Sequence, residues 1–126
     1  MALTTDKALQ PGAVLESLET TGSGSVALHI GLARDSAAGK PVRAVDLQRT
    51  ETTHADLEAI EAQTRSRWPE VRDLAIAHRF GRMEPGEIIC IVAVSAPHRG
   101  EAFDACRFAL DRIKELHSLS LIEIGP

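Results

Sequence analysis

The sequence predicts an α+β domain, and three observations predict it. Short apolar runs of strand character come in pairs, single helical segments separate those pairs, and the resulting order is roughly α-β-β-α-β-β-α-β. The chain has 126 residues, 44% of them hydrophobic, which suits one domain over residues 1–126 with one ordinary core. A domain of this size buries well over half of the surface its unfolded chain exposes.

The elements follow in order. Residues 1–10 are expected to be a flexible N-terminus and contain no apolar run of the signal-peptide kind. Pro11 opens a short helix over residues 11–18, and the Gly-containing stretch 20–24 ends it. Residues 25–33 (SVALHIGLA) read as a strand, with Gly31 marking a bulge or a close backbone approach. A polar, mobile loop is expected over 34–41 and a half-solvated strand over 42–48. Thr53 stands three residues before Asp56, which resembles a capping box. Leu57, Ile60, Thr64 and Trp68 follow at near-helical spacing, and Pro69 stops that helix. Residues 71–79 read as a strand, Glu84-Pro85-Gly86 as a turn, and residues 88–94 (IICIVAV) as a buried strand. The strongest helix opens at Pro97-His98-Arg99-Gly100 and carries a stripe of Ala102, Phe103, Cys106, Ala109, Leu110, Ile113 and Leu116. Residues 119–124 alternate and read as a last strand.

Composition excludes several classes of function. Aromatic residues make up 3%, so the core is built from Ala, Val, Ile and Leu, and base stacking on single-stranded nucleic acid is not expected. A net charge of -4 argues against a broad nucleic-acid footprint, although local basic pockets are compatible with it. No apolar run approaches the length of a membrane span. Cys90 and Cys106 do not form a CxxC pair, and a reducing, cytoplasmic location is the simplest expectation.

The densest candidate site is Ser95-Ala96-Pro97-His98-Arg99, where a buried strand gives way to a helix. The first backbone N–H groups of a helix lack partners and carry partial positive charge, so an Arg and a His there suit a phosphate or carboxylate. A solvated helix start fits the same residues equally well. Arg34 follows the Gly31 strand and could hold a phosphate through two parallel hydrogen bonds, although loop arginines are more often simply solvated. His78-Arg79 reads as a packed polar strand end. No two of the five histidines fall at metal-ligand spacing, so no metal is expected. Cys90 and Cys106 read as core. Lys114 lies at the edge of the helix stripe and becomes a catalytic candidate if a pocket forms around it.

Together these segments resemble one family. His78-Arg79-Phe80-Gly81, then Pro85-Gly86-Glu87, an apolar strand and Ser95-Ala96-Pro97-His98-Arg99 are similar to the central block of the molybdopterin synthase large (catalytic) subunit family, MoaE. So are Ala102-Phe103-Asp104-Ala105, Leu110-Asp111 and Lys114 downstream, and Trp68-Pro69 and Gly24-Ser25-Val26 through Gly31 to Arg34 upstream. The resemblance implies an α/β hammerhead with an additional antiparallel sheet, normally a homodimer. It implies a sulfur transferase of molybdenum cofactor biosynthesis that converts cyclic pyranopterin monophosphate to molybdopterin. The sulfur arrives as a thiocarboxylate on the C-terminal Gly-Gly of a small ubiquitin-like subunit. By this analogy Arg34, His98 and Arg99 bind anionic substrate groups, Lys114 matches the first of two active-site lysines, and no cofactor is expected.

The chain departs from the family pattern at defined places. Leu121 stands where the second lysine is expected, although Glu123 fits. His29 stands where the family usually has Phe, and Leu47-Gln48-Arg49-Thr50 replaces a Leu-Glu-x-Tyr strand end. Lys40, Arg112 or a basic residue of a partner protomer are candidates to fill the gap at Leu121. Two other readings stay open: a non-catalytic homologue that binds a ubiquitin-like partner or regulates the pathway, and an unrelated anion-binding module using the His98-Arg99 helix start.

Overall fold

A computed structural model describes residues 1–125. Twelve elements follow one another: β1 (Ala2–Thr5), α1 (Pro11–Ser17), β2 (Ser25–Leu32), β3 (Ser36–Ala37), β4 (Lys40–Pro41), β5 (Ala44–Arg49), α2 (Thr53–Arg67), β6 (Asp73–Arg79), β7 (Gly81–Met83), β8 (Ile88–Ala96), α3 (Arg99–Lys114) and β9 (Leu119–Ile124). The mixture is α+β, as expected. A four-stranded sheet has the order β1-β6-β8-β2, and a separate three-stranded antiparallel sheet has the order β7-β5-β9.

The β8 sequence is apolar on both faces because both faces are covered. On one side α2 and α3 press Leu57, Ile60, Ala102, Ala105, Ala109 and Ile113 onto Leu74, Ile76, Val92 and Val94. The alanines of α3 let the helix lie close to the sheet. On the other side Leu9, Val14 and Leu18, around α1, cover Ala75, Ala77, Ile91 and Ala93. A third cluster of Ala33, Val42, Val45, Leu47 and Met83 fills the space under the smaller sheet.

Several expectations are corrected. Residues 1–10, read as flexible, contain β1, which pairs in parallel with β6 from Ala2 opposite Ile76 to Thr5 opposite Arg79. Four residues are too few to show a period, but the open edge of β6 supplies unpaired backbone groups that a neighbouring strand satisfies. The loop after β2 is folded into a two-strand hairpin whose central residues Ala38 and Gly39 have φ of 51° and 78°. That is the left-handed pair a tight hairpin turn demands.

The capping box is absent. Thr52 caps α2 without a side-chain bond, and the buried Thr53 hydroxyl donates to Ser118 O at 2.8 Å while accepting from Thr50 N at 2.9 Å. Thr53 therefore staples the helix start to the segment before β9. Phe103, read as part of the α3 stripe, is 63% exposed, because the alanine face has turned to the sheet and leaves Phe103 beyond the edge strand. The Gly31 reading holds: the β2–β8 register shifts between Gly31 and Leu32.

Candidate active site

A cavity of about 440 Å³ opens between the ends of β2 and β8, the last turns of α3, and β9. Arg34 and Lys114, far apart in sequence, both line it. Arg34 reaches it because β2 ends just before; Lys114 reaches it because Ile113 beside it is anchored in the core. Leu47, Ile89, Leu116, Leu119 and Leu121 supply apolar walls. Gly31 is required in the wall: a Cβ there would lie 2.9 Å from Cys90 Sγ and 3.6 Å from His29 Nε2.

Other expected residues lie elsewhere. His98 and Arg99 border a separate shallow depression with Gly24, Ser25 and Pro97. They sit at the opposite end of α3 from Lys114, and a helix of 16 residues is about 24 Å long at about 1.5 Å per residue. One protomer therefore does not bring His98 and Arg99 to Arg34 and Lys114. Ser95, in the same motif, is structural: it is buried and its hydroxyl donates to Glu19 O at 2.7 Å. Neither candidate substitute for the second lysine lines the cavity. Lys40 belongs to the β3–β4 hairpin, and Arg112 pairs with Glu115 at 3.7 Å. Leu121 does line it, 47% exposed.

The stretch from residue 4 to residue 116 matches the family model of the MoaE protein. The chain belongs to the MoaE family. It is 39% identical over 97 residues to a molybdopterin synthase catalytic subunit of Nostoc sp., covering 76% of this chain and 59% of that one. It is 40% identical over 110 residues to the one of Pseudomonas aeruginosa, covering 85% of this chain and 73% of that one. Among solved structures, molybdopterin synthase from Staphylococcus aureus superposes with a TM-score of 0.91 at 25% identity, over 98% of this chain and 90% of that one.

The electrostatics of this MoaE cavity are those of cations and neutral groups. Burial pushes up the Cys90 thiol in its wall, and also that of Cys106, which lines a separate depression on the other side of His29, to about 11, with Cys90 adding to the effect on Cys106. Both thiols are therefore protonated at neutral pH and do not act as thiolate nucleophiles. Burial holds His78 below its ordinary value of 6.5, against the pull of the Arg79 carbonyl 3.1 Å from its Nδ1. Burial, then the charge of Lys114, lowers His29 as well. Arg79 is held by Glu87 at 3.0 Å and stays a packed strand-end residue.

The cavity residues that sequence reasoning passed over are His29, His78 and Cys90. For His29 a signal existed: it shares the inward face of β2 with Ala27 and Gly31, two residues to either side.

Proposed function

We propose that this MoaE chain is the sulfur-transferring subunit of a molybdopterin synthase. Its substrate is cyclic pyranopterin monophosphate, and its sulfur comes from the thiocarboxylated C-terminal Gly-Gly of a small ubiquitin-like subunit. The observation that carries this reading is the convergence of Arg34 and Lys114 on one apolar-walled cavity in a chain of this family. A planar guanidinium takes a phosphate through paired hydrogen bonds, which suits Arg34 to the anionic end of the substrate. The Lys114 ammonium then faces the reacting carbon, where it steadies developing negative charge. Preorganised groups of this kind are typically worth about 10²–10³ in rate each. The apolar walls strengthen both by excluding water.

His98 and Arg99 enter this reading through a second protomer. β2 is an edge strand, and Val26, Leu28, Ile30 and Leu32 form an exposed apolar row along it, with Phe103 beside them. Unpaired strand edges and apolar rows of this kind are pairing surfaces. Two β2 strands paired antiparallel about a twofold axis set the Ser25 end of one against the Leu32 end of the other. Eight residues at about 3.4 Å span about 27 Å, close to the length of α3. The helix start of one copy, with His98 and Arg99, then lies beside Arg34 of the other. The protonated, buried thiols suit a reducing compartment, and the reading places the protein in the cytoplasm.

Reconstitution with the thiocarboxylated small subunit and cyclic pyranopterin monophosphate tests this. Molybdopterin formation by the wild type, reduced about 10²–10³-fold in Lys114→Ala, is the expected result. A wild type that binds the small subunit but makes no product, with activity gained in Leu121→Lys, sinks the catalytic reading.

A further inference from the structure

The cavity contains two imidazoles that the reading above leaves unused, His29 and His78, and they differ in what surrounds them. His29 stands on the α3 side of β2, and its Nε2 lies beside Gly31 and Cys90 in the wall that Arg34 and Lys114 share. Among the described residues, His78 Nδ1 lies 3.1 Å from the Arg79 carbonyl and His54 lies 3.6 Å from the Glu58 carboxylate, whereas the His29 ring has no hydrogen bond or ion pair. His78 also borders the cavity but is 6% exposed with its Nδ1 turned to a carbonyl. Leu121 offers no proton acceptor, and Lys40 and Arg112 do not line the cavity. His29 is thus the unpartnered imidazole in a pocket otherwise lined by the cations Arg34 and Lys114, the buried His78, the Cys90 thiol and hydrocarbon.

We propose that His29 is a catalytic general base, acting on the water that releases the sulfurated product from its carrier. The proposal rests on the sulfur-transfer reading above. Its chemistry follows from the thiocarboxylate. Once that sulfur has bonded to a substrate carbon, the carrier's acyl group and the substrate are joined as a thioester. Release consumes one water: its O–H bond breaks, its oxygen bonds to the acyl carbon, and the acyl C–S bond breaks. His29 Nε2 takes the proton as the oxygen attacks, and the Lys114 ammonium steadies the oxyanion. The imidazolium then returns the proton to the departing sulfur. The carrier leaves with a carboxyl end and the substrate keeps a thiol, so no oxidant or reductant is needed. A base with a pKa near the working pH suits this step.

Burial and the charge of Lys114 both favour the neutral imidazole. The titratable and charged groups lining its cavities are Lys114, Cys106 and Arg107 on α3, Cys90 on β8, His78 on β6 and Arg34 after β2. None is a carboxylate, so none of them favours the protonated ring.

The test follows single turnovers of the full chain with thiocarboxylated small subunit and cyclic pyranopterin monophosphate, by product assay and intact mass. Wild type, His29→Phe, His29→Gln and His29→Phe/Leu121→Lys are compared between about pH 5 and about pH 8. Product release is expected to fall about 10²-fold or more in both single variants at unchanged KM. A species with the summed mass of carrier and substrate should accumulate. The wild-type rate is expected to fall as pH drops below 6.5, that fall should vanish in the single variants, and added Leu121→Lys should restore release. Single variants with wild-type release and pH profile overturn the proposal, as does slow release without the joined species. His29→Gln keeps a polar side chain and carries the test should phenylalanine disturb folding. A wild type that yields neither joined species nor product overturns the sulfur-transfer reading and this one with it. An active wild type with undiminished variants overturns the role of His29 alone.

Discussion

Replacing Gly31 with alanine probes how tightly the cavity wall is built. The added Cβ would sit 2.9 Å from Cys90 Sγ, roughly 0.6 Å or more inside an ordinary non-bonded separation of about 3.5–4.0 Å. Cys90 is buried and its side chain is short, so relief requires β2 and β8 to part slightly. Overpacking of this kind costs about 1–3 kcal/mol. The φ of Gly31 is not in the left-handed region, so alanine adds no backbone strain and regains about 0.4–1 kcal/mol through the unfolded chain. The net expectation is a loss of about 0.5–2 kcal/mol, read from urea denaturation at unchanged m. Cys90→Ala in the same chain removes the colliding sulfur, and the double-mutant cycle should show a favourable coupling of about 0.5–2 kcal/mol. Gly31→Ala as stable as wild type, or a cycle with no coupling, would refute the close approach.

Thr53→Val removes two buried hydrogen-bond partners, leaving Ser118 O and Thr50 N unsatisfied; a loss of about 2–4 kcal/mol in urea denaturation is expected, and a loss near zero contradicts the staple. His78 is held below 6.5 by burial, so the unfolded chain binds its proton more readily than the folded one. Stability should therefore fall as pH drops below 6.5 towards the folded value, and His78→Gln should flatten that decline in urea midpoints measured across the range. Asp73 acts in the same direction at lower pH: burial works against its ionisation, but the Glu19 N–H at 2.8 Å and Arg65 at 2.9 Å outweigh it and lower its pKa. Its contribution is present above the unfolded value near 4 and lost as pH falls through the folded one, so Asp73→Asn should weaken the acid limb of the same curve. Leu28→Asp places a charge in the middle of the exposed β2 row; on the proposed β2–β2 pairing the wild type should scatter light as two chains and the variant as one, and equal masses for the two would refute that pairing.

The long elements were legible in sequence because each carries its own period or composition. The continuous apolar run of β8 and the apolar stripe of α3 report the layers they are buried between. The short ones were not: β1, β7 and the β3–β4 hairpin have four, three, two and two residues, and they exist because a neighbouring strand or a turn holds them. The exposure of Phe103 illustrates the same limit, since an apolar residue at the stripe's margin is buried or exposed according to how the helix is rolled on its sheet.

For the site, local sequence determined residue chemistry and family membership: an Arg after a Gly-containing strand, a Lys near a helix end, and a motif block that carries the MoaE resemblance. Only the tertiary structure decided which of these meet. It brought Arg34 and Lys114 to one cavity, left His98 and Arg99 about a helix length away, and put His29 where no motif had pointed. The physical reason is that a residue's chemistry is a local property of the chain. Convergence depends on strand order, helix roll and register, which the packing of distant segments determines together.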